Sequence, residues 1–203
     1  MKHDGKPGCV VLAAGSARRF GGNKLAAAVE GVALIRRALS AVPAERFARV
    51  AVVTQYPEIR ELAKEFSFTP VWNNAPEAGV SRSIALGLAA LGDCPGALFL
   101  VADQPLLRRE SVDALVTLWQ EKPDGIAALG HGGVRGNPCL FPARLFPELR
   151  ALQGDRGGAA VIRRHEDLLT LLEVNPPGAA GRRHPGGAGG HPGGSGRGKL
   201  TFR

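Results

Sequence analysis

The sequence predicts an α/β fold, a three-layer α/β/α, Rossmann-like arrangement around a mostly parallel sheet. Short, continuously apolar segments alternate with segments of helical periodicity through residues 1–174. This alternation is typical of strands buried on both faces and of the helices that cover them. Hydrophobic residues make up 44% of the chain, and its 203 residues correspond to one domain of ordinary size.

The predicted elements follow one another in a regular order. Apolar runs predict strands at residues 9–13, 50–54, 71–72, 97–102, 126–129, 139–141 and 168–174. Apolar residues at helical spacing predict helices at 34–42, 58–65, 81–91, 111–120 and 159–164. In open sheets of this kind, ligands bind outside the carboxyl ends of the strands. We therefore expect function in the loops after Ala13, Trp72 and Ala102.

The C-terminal segment has a different composition. Residues 175–203 hold five basic residues, no acidic residue, ten glycines and four prolines, which leaves +3 of the net charge of +8 for residues 1–174. Such a segment cannot bury enough apolar surface to offset its ordering entropy, so we expect a folded domain at 1–174 and a disordered tail at 175–203. A basic tail that binds nucleic acid and a shifted reading frame in a GC-rich gene are alternative interpretations of the tail.

Composition argues against several classes of function. A folded part at +3, in a chain with only 5% aromatic residues, gives no reason to expect a nucleic-acid partner. No apolar run approaches the roughly 18–20 residues of a membrane-spanning helix, so we expect no membrane partner and a cytoplasmic location. Cys9, Cys94 and Cys139 lack the spacing of metal ligands, and we assign them no chemistry.

A glycine-rich segment, LAAGSARRFGGNK at residues 12–24, follows the first predicted strand. Its glycines allow the backbone to approach a polyphosphate and to direct N–H groups towards it. Its cations, Arg19 and Lys24 among them, would neutralise charge on the phosphates. The segment is neither a Walker A loop nor a GxGxxG fingerprint, and a solvated surface loop is the alternative. The pattern favours a phosphate-binding loop that begins with Leu12, Ala13, Ala14 and Gly15.

A single acidic residue, Asp103, stands where the fourth long apolar run ends, in LFLVADQP at residues 98–105. Mg²⁺ prefers one or two carboxylates together with phosphate oxygens, and it would polarise a phosphate bound beside it. The alternatives for Asp103 are an Asx turn before Pro105 or a cap for the helix that begins near Arg108. Together with the glycine-rich segment, the pattern favours a Mg²⁺ ligand.

Polar residues in the remaining loops are further candidates. In NNAPEAGVSRSIALGL, residues 73–88, Asn73 and Asn74 can read a base edge, and Ser81 and Ser83 stand at a predicted helix N-terminus that favours an anion. A plain N-cap at Ser81 is the alternative. RGNPCLF and GDRGG, at 135–141 and 154–158, each combine turn residues with one polar side chain, Asn137 or Asp155.

Taken together, these segments resemble the MobA-like nucleotidyltransferases, and most closely the molybdenum cofactor cytidylyltransferases. The glycine-rich segment is similar to the family motif LAAGxSxRMGxxK, with Arg19 on its arginine and Lys24 on its lysine. ADQP puts Asp103 on the family's metal-binding aspartate, while GVSRSI, GNPCLF and GDRGGA resemble later family motifs. The resemblance covers roughly residues 8–174 and implies a three-layer Rossmann-like core.

The resemblance also implies an activity: transfer of CMP from CTP to a molybdopterin-type cofactor, with release of pyrophosphate and with Mg²⁺ as cofactor. The implied catalytic residues are Arg19, Lys24 and Asp103. The implied nucleotide-binding residues are Leu12, Ala13, Ala14, Gly15, Arg19, Lys24, Asn74, Ser81 and Ser83, and those implied for the acceptor are Asn137 and Asp155. A molybdenum hydroxylase apoenzyme is an implied partner.

Three alternatives remain open. The first is the same fold with GTP or a sugar phosphate as substrate, although Ala14 stands where guanylyl members tend to carry glycine and so favours CTP. The second is an NAD(P)H-dependent oxidoreductase related to the family, but the sequence has no GxGxxG followed by a ribose-binding acid. The third is a non-catalytic factor that delivers a cofactor to a dehydrogenase.

Overall fold

A computed structural model of the chain describes residues 5–15, 28–29 and 32–174. Within these ranges the strands are β1 (Gly8–Ala13), β2 (Ala28–Val29), β3 (Val32–Ala33), β4 (Val50–Thr54), β5 (Thr69–Trp72), β6 (Gly96–Val101), β7 (Ile126–His131), β8 (Val134–Pro142) and β9 (Leu169–Glu173). The α-helices are α1 (Leu34–Ser40), α2 (Pro57–Glu65), α3 (Val80–Leu91), α4 (Arg109–Glu121), α5 (Phe146–Arg150) and α6 (Ala159–Ile162). The predicted tail at 175–203 lies outside the described residues, as do Arg19 and Lys24.

Seven strands form one sheet in the order β5-β4-β1-β6-β8-β7-β9, and β2 pairs with β3 in a separate antiparallel ribbon. The strands β5, β4, β1 and β6 run parallel to one another, and β9 runs parallel to β7. Only β8 is antiparallel to its sheet neighbours, β6 and β7. The predicted fold class, a mostly parallel Rossmann-like sheet between helices, is confirmed.

Helices cover both faces of the sheet. The helices α1, α2 and α4 pack on one face, in a core that includes Val11 of β1. The helices α3, α5 and α6 pack on the other face, in a core that includes Val10. Because successive strand residues point to opposite faces, β1 contributes to both cores, which explains its continuous apolar sequence. A Cβ atom at Gly87 of α3 would lie 2.3 Å from a methyl carbon of Val10, so α3 crosses close over β1.

Every predicted strand and helix is present, with ends that differ by a few residues, except that β8 is much longer than the predicted strand at 139–141. A tight turn explains the antiparallel direction of β8: Gly132 and Gly133, with φ of 58° and 75°, connect it to β7. The short helix α5 was not predicted, because five residues give too little periodicity, although Phe146 and Leu149 are buried.

The arrangement of the sheet defines a carboxyl edge, where β1, β4, β5 and β6 end at Ala13, Thr54, Trp72 and Val101. Because β8 runs in the opposite direction, its first half reaches the same edge. In the described part of the chain, no helix combines the length and the apolar character that crossing a membrane requires.

Candidate active site

The ends of β1 and β6 lie side by side at the carboxyl edge. Leu12 pairs with Val101, and the N–H of Ala102 donates to the carbonyl of Leu12 at 3.1 Å. Gly15 and Asp103, which follow these two strands directly, are both exposed. The structure therefore brings together the backbone predicted to bind phosphate and the carboxylate predicted to hold the metal.

The first half of β8 joins this group through Gln104. Its side-chain Nε2 donates to the carbonyl oxygen of Asn137 at 3.1 Å, so Asn137 lies next to the loop that carries Asp103. The Asn137 side chain is exposed, and its Oδ1 accepts from the Cys139 thiol at 3.7 Å. The Oε1 of Gln104 is buried without a hydrogen-bond partner in the part of the chain that the structure describes. We call the group formed by residues 12–15, Asp103, Gln104 and Asn137 the β1–β6 end.

A second group forms where α3 begins. The N–H of Ser81 donates to the carbonyl of Gly154 at 3.1 Å, so the GDRGG turn packs against the first turn of α3. Gly79 has φ of 87°, and a Cβ atom there would lie 2.3 Å from the backbone of Gly154. Asp155, the predicted acceptor residue of this turn, is exposed. We call Asn73, Asn74, the first turn of α3 and the GDRGG turn the α3 end.

Hydrogen bonds within the α3 end give its two asparagines different roles. Asn73 is buried; its Nδ2 donates to Ser83 Oγ at 3.1 Å, and its Oδ1 accepts from Arg82 Nε at 3.2 Å. Asn74 is exposed, and its Oδ1 accepts from Arg82 Nη2 at 2.6 Å. Because a guanidinium only donates, the amide nitrogen of Asn74 is the end that can reach a ligand. Ser81 and Ser83 are both buried, and their predicted contact with nucleotide stays a prediction.

Two alternative interpretations, that Asp103 caps α4 and that Ser81 caps α3, are wrong. Helix α4 begins at Arg109 with Arg108 as its N-cap and no capping side chain, so Asp103 does not cap it. Helix α3 has Gly79 as its N-cap, again with no capping side chain, and Ser81 lies inside the helix. The polar residues of both segments are therefore not explained by helix capping.

Sequence analysis missed three residues at the end of β4. The side chains of Thr54, Gln55 and Tyr56 donate hydrogen bonds to the backbone carbonyls that end β1 and begin the loop after it. The signal that could have found them was present in the sequence, because β4 is also a buried strand with its carboxyl end at this edge. The loop after β4 therefore belongs with the loops after Ala13, Trp72 and Ala102.

Cys9 and Cys139 are buried. Burial raises the pKa of Cys139, and the neighbouring Arg135 guanidinium offsets this only in part. Burial alone raises the pKa of Cys9, deep in the core, far above its ordinary value. In both residues burial therefore disfavours the thiolate, which is the nucleophilic and metal-binding form.

Carboxylates are sparse at the site. Among the described residues, no group of three or more His, Cys, Asp or Glu side chains could enclose a metal ion. Asp103 is an exposed carboxylate beside a backbone turn suited to phosphates. This donor set fits Mg²⁺, which is commonly held by one or two carboxylates and completed by water and substrate phosphates.

The chain is similar to a curated protein in sequence and to solved structures in fold. The chain is 29% identical to the purine catabolism protein PucB of Bacillus subtilis (strain 168), over 83% of this chain and 91% of that protein. Its fold is similar to that of a nucleotidyl transferase from Methanothermobacter thermautotroptrophicus, with a TM-score of 0.70, 21% identity and coverage of 85% and 88%. It is also similar to CMP:2-keto-3-deoxy-manno-octonic acid synthetase complexed with CTP, with a TM-score of 0.64, 14% identity and coverage of 83% and 90%.

The family model that matches the chain is the MobA-like NTP transferase domain. The match extends over residues 9–168 and so includes both the β1–β6 end and the α3 end. The resemblance inferred from the motifs is confirmed. The chain belongs to the MobA-like NTP transferases and is a nucleotidyltransferase of that family.

Proposed function

We propose that the protein transfers CMP from CTP to the terminal phosphate of a molybdopterin-type cofactor and releases pyrophosphate. The observation that carries this proposal is the open backbone at Gly15 beside the exposed carboxylate of Asp103. A Cβ atom at Gly15 would meet no described atom within 4 Å, and the φ of Gly15 is not positive. Nothing among the described residues therefore requires glycine at this position, whereas close approach of a phosphate would.

Each part of the β1–β6 end has a proposed role in binding the triphosphate. The backbone N–H groups of Ala14 and Gly15 would bind phosphate oxygens, and the cations of Arg19 and Lys24 would neutralise their charge. Asp103 would hold Mg²⁺, which neutralises the triphosphate and polarises the α-phosphate when bound. The acceptor phosphate is itself the nucleophile, so the chain's contribution is to bind and orient both substrates.

The nucleoside and the acceptor are assigned to the remaining polar residues. Asn74, Ser81 and Ser83 would place the nucleoside, Asn74 through its outward amide nitrogen. Asn137 would contact the acceptor phosphate, and its link through Gln104 to the loop of Asp103 supports this. Asp155 would contact the acceptor farther from its phosphate.

The choice of CTP rests on two supports. The resemblance to cytidylyl members includes Ala14, and the fold is similar to that of a synthetase complexed with CTP. A molybdopterin-type acceptor, and a molybdenum hydroxylase apoenzyme that receives the product, follow from the same resemblance. GTP is the competing nucleotide.

Pyrophosphate release tests the proposal. We expect Mg²⁺-dependent release with CTP and molybdopterin-type cofactor, and much slower release when GTP replaces CTP. Faster release with GTP would assign the chain to guanylyl transfer. Binding of the cofactor without release from either nucleotide would contradict catalysis and favour a delivery factor.

A further inference from the structure

Three consecutive side chains at the end of β4 contact three consecutive carbonyl groups at the end of β1. Each side chain donates one hydrogen bond, and the donor and acceptor residues are 41 positions apart in sequence. The distances are 3.2 Å from Thr54 Oγ1 to the Ala13 oxygen, 2.8 Å from Gln55 Nε2 to the Ala14 oxygen, and 3.2 Å from the Tyr56 hydroxyl to the Gly15 oxygen.

These contacts also determine where the N–H groups of the turn point. A trans peptide unit is planar, and its C=O and N–H point in opposite directions. Hydrogen bonds from the β4 segment hold the carbonyls of Ala13 and Ala14, so the N–H groups of Ala14 and Gly15 point away from that segment. In the sheet order, β4 and β6 flank β1 on opposite sides, and β6 leads into the loop that carries Asp103.

The three donors differ in how deeply they are buried. Thr54 is fully buried, and its hydroxyl also accepts from the N–H of Tyr56 at 3.1 Å, so it is part of the core structure. Gln55 and Tyr56 are only half-buried. Their polar ends can therefore be removed with little effect on the core, and they offer a way to disturb the turn alone.

We propose that Gln55 and Tyr56 are positioning residues, which hold the turn after β1 with its N–H groups aimed at the triphosphate before the nucleotide arrives. This inference rests on the proposed nucleotidyl transfer. A backbone turn that is already oriented loses less conformational freedom on binding, so its supports contribute to affinity without touching the ligand. Loss of either hydrogen bond should weaken binding of the nucleotide rather than of the acceptor. Neither Gln55 nor Tyr56 makes a described hydrogen bond to Asn137 or Asp155, the residues assigned to the acceptor.

Two isosteric variants test the proposal. Tyr56→Phe removes only the hydroxyl and keeps the ring, and Gln55→Met keeps the length of the side chain and removes the donor. From the loss of one hydrogen bond we expect the KM for CTP to rise about three- to tenfold in each variant. The KM for the acceptor and the thermal unfolding midpoint should stay at their wild-type values, and the double variant should bind CTP more weakly than either single variant.

Gln120→Met is the matched control. Gln120 lies near the C-terminal end of α4, away from the carboxyl edge, and its side chain also makes a hydrogen bond, accepting from Arg46 Nη2 at 3.0 Å. The control should leave the KM for CTP unchanged. Wild-type KM values in Gln55→Met and Tyr56→Phe, or an equal rise in the control, would overturn the positioning role.

Calorimetric titration with CTP separates this inference from the proposed reaction. If the wild type binds CTP but releases no pyrophosphate, the reaction is wrong, and the affinities of the variants alone decide the positioning role. If the wild type binds no nucleoside triphosphate, both proposals fail, because the turn then has no ligand to receive.

Discussion

The β1–β6 end and the α3 end reach the same edge of the sheet, and each depends on a glycine, but for opposite reasons. At Gly15 the position of a side chain is open space among the described residues, while at Gly79 it is filled by the backbone of Gly154. Asp103 and Asn137 of the first region are exposed, whereas Asn73, Ser81 and Ser83 of the second are buried. The β1–β6 end is open towards a ligand at Gly15, whereas the α3 end is held together by contacts among its own residues and exposes Asn74 and Asp155.

The glycine-rich and serine-rich motifs of one site can therefore have different roles, one in ligand binding and the other in packing. Substitutions at the β1–β6 end should change nucleotide binding or turnover while the free energy of unfolding stays constant. Substitutions of the buried or closely packed residues of the α3 end, such as Asn73 and Gly79, should first change the free energy of unfolding. This difference would be contradicted by a substitution at the β1–β6 end that changes only the free energy of unfolding, or by a substitution of a buried residue at the α3 end that changes only nucleotide binding.

The largest effect is expected for Asp103→Ala. Loss of the carboxylate that would hold Mg²⁺ beside the phosphates should lower kcat about 10²- to 10³-fold, the range typical of removing one group that stabilises transition-state charge. The free energy of unfolding should not change, because Asp103 is exposed. Pyrophosphate release and urea unfolding measure the two quantities.

Asp93→Ala is the matched control for Asp103→Ala. Asp93 is also exposed but precedes β6, so it lies at the opposite end of the same strand. Its kcat should equal that of the wild type. Near-normal turnover in Asp103→Ala, or equal losses in both variants, would refute the metal assignment.

The next effect is expected for Gly79→Ala at the α3 end. Gly79, with φ of 87° and ψ of −179°, lies in a backbone region that is essentially restricted to glycine, so a residue with a side chain should cost about 1–3 kcal/mol there. Overlap of the new methyl group with the Gly154 backbone should cost about 1–3 kcal/mol more. We therefore expect the free energy of unfolding in urea to fall by at least about 2 kcal/mol.

Gly92→Ala isolates the steric part of that loss. Gly92 has φ of 69° and ψ of −147°, yet a Cβ atom there meets no described atom within 4 Å, so the substitution introduces backbone strain without overlap. The free energy of unfolding of Gly92→Ala should fall by only the backbone part, about 1–3 kcal/mol. Equal losses in the two variants would mean that the contact with Gly154 does not constrain the α3 end.

Gly15→Ala should weaken nucleotide binding rather than stability, and its effect should be smaller than that of Gly79→Ala. A methyl group in the open space at the turn should weaken CTP binding about tenfold, by about 1.4 kcal/mol, because it occupies the position of a phosphate. The free energy of unfolding should stay constant or rise by about 0.4–1 kcal/mol through the smaller entropy of the unfolded chain. Calorimetric titration and urea unfolding test this, and a loss of stability with unchanged CTP affinity would contradict it.

The same comparison shows what could be predicted from the sequence. The parallel strands β1, β4 and β6 were predictable because burial on both faces leaves continuous apolar runs. The first half of β8 was missed because its residues, Val134 to Asn137, are largely exposed and carry no strand pattern. The antiparallel direction of β8 depends on the Gly132–Gly133 turn, and the pattern of apolar residues does not indicate this turn.

Within the candidate site, the positions of the motif residues were predictable, whereas the contacts made by the supporting residues were not. Gly15 and Asp103 stand directly after apolar runs, so chain order alone indicates their position. Gln55 and Tyr56 act on carbonyls 41 residues away, and such a contact leaves no local pattern. The burial of Ser81 and Ser83 follows from how α3 packs, which their hydroxyl groups do not indicate.

The smallest effect is expected from an ion-pair cluster that joins α5 to the segment directly after α6. Glu148 accepts from Arg164 Nη2 at 2.7 Å and lies 2.6 Å from His165 Nε2. These contacts, with Arg164 the larger cause, hold the pKa of Glu148 below its usual range. A carboxylate with a lowered folded-state pKa stabilises the protein above the unfolded-state pKa, and this contribution is lost as pH falls through the folded-state value.

Wild-type protein should therefore lose more stability than Glu148→Gln when the pH falls below about 4.3, the ordinary pKa of glutamate. The difference should be less than about 1 kcal/mol, because the cluster is largely open to solvent. Glu166→Gln, at an exposed glutamate on the neighbouring segment, should follow the wild-type curve. Urea unfolding at pH 7 and pH 3.5 measures the difference. Identical acid dependence in Glu148→Gln and wild type would show that the charge of Glu148 contributes nothing measurable to stability.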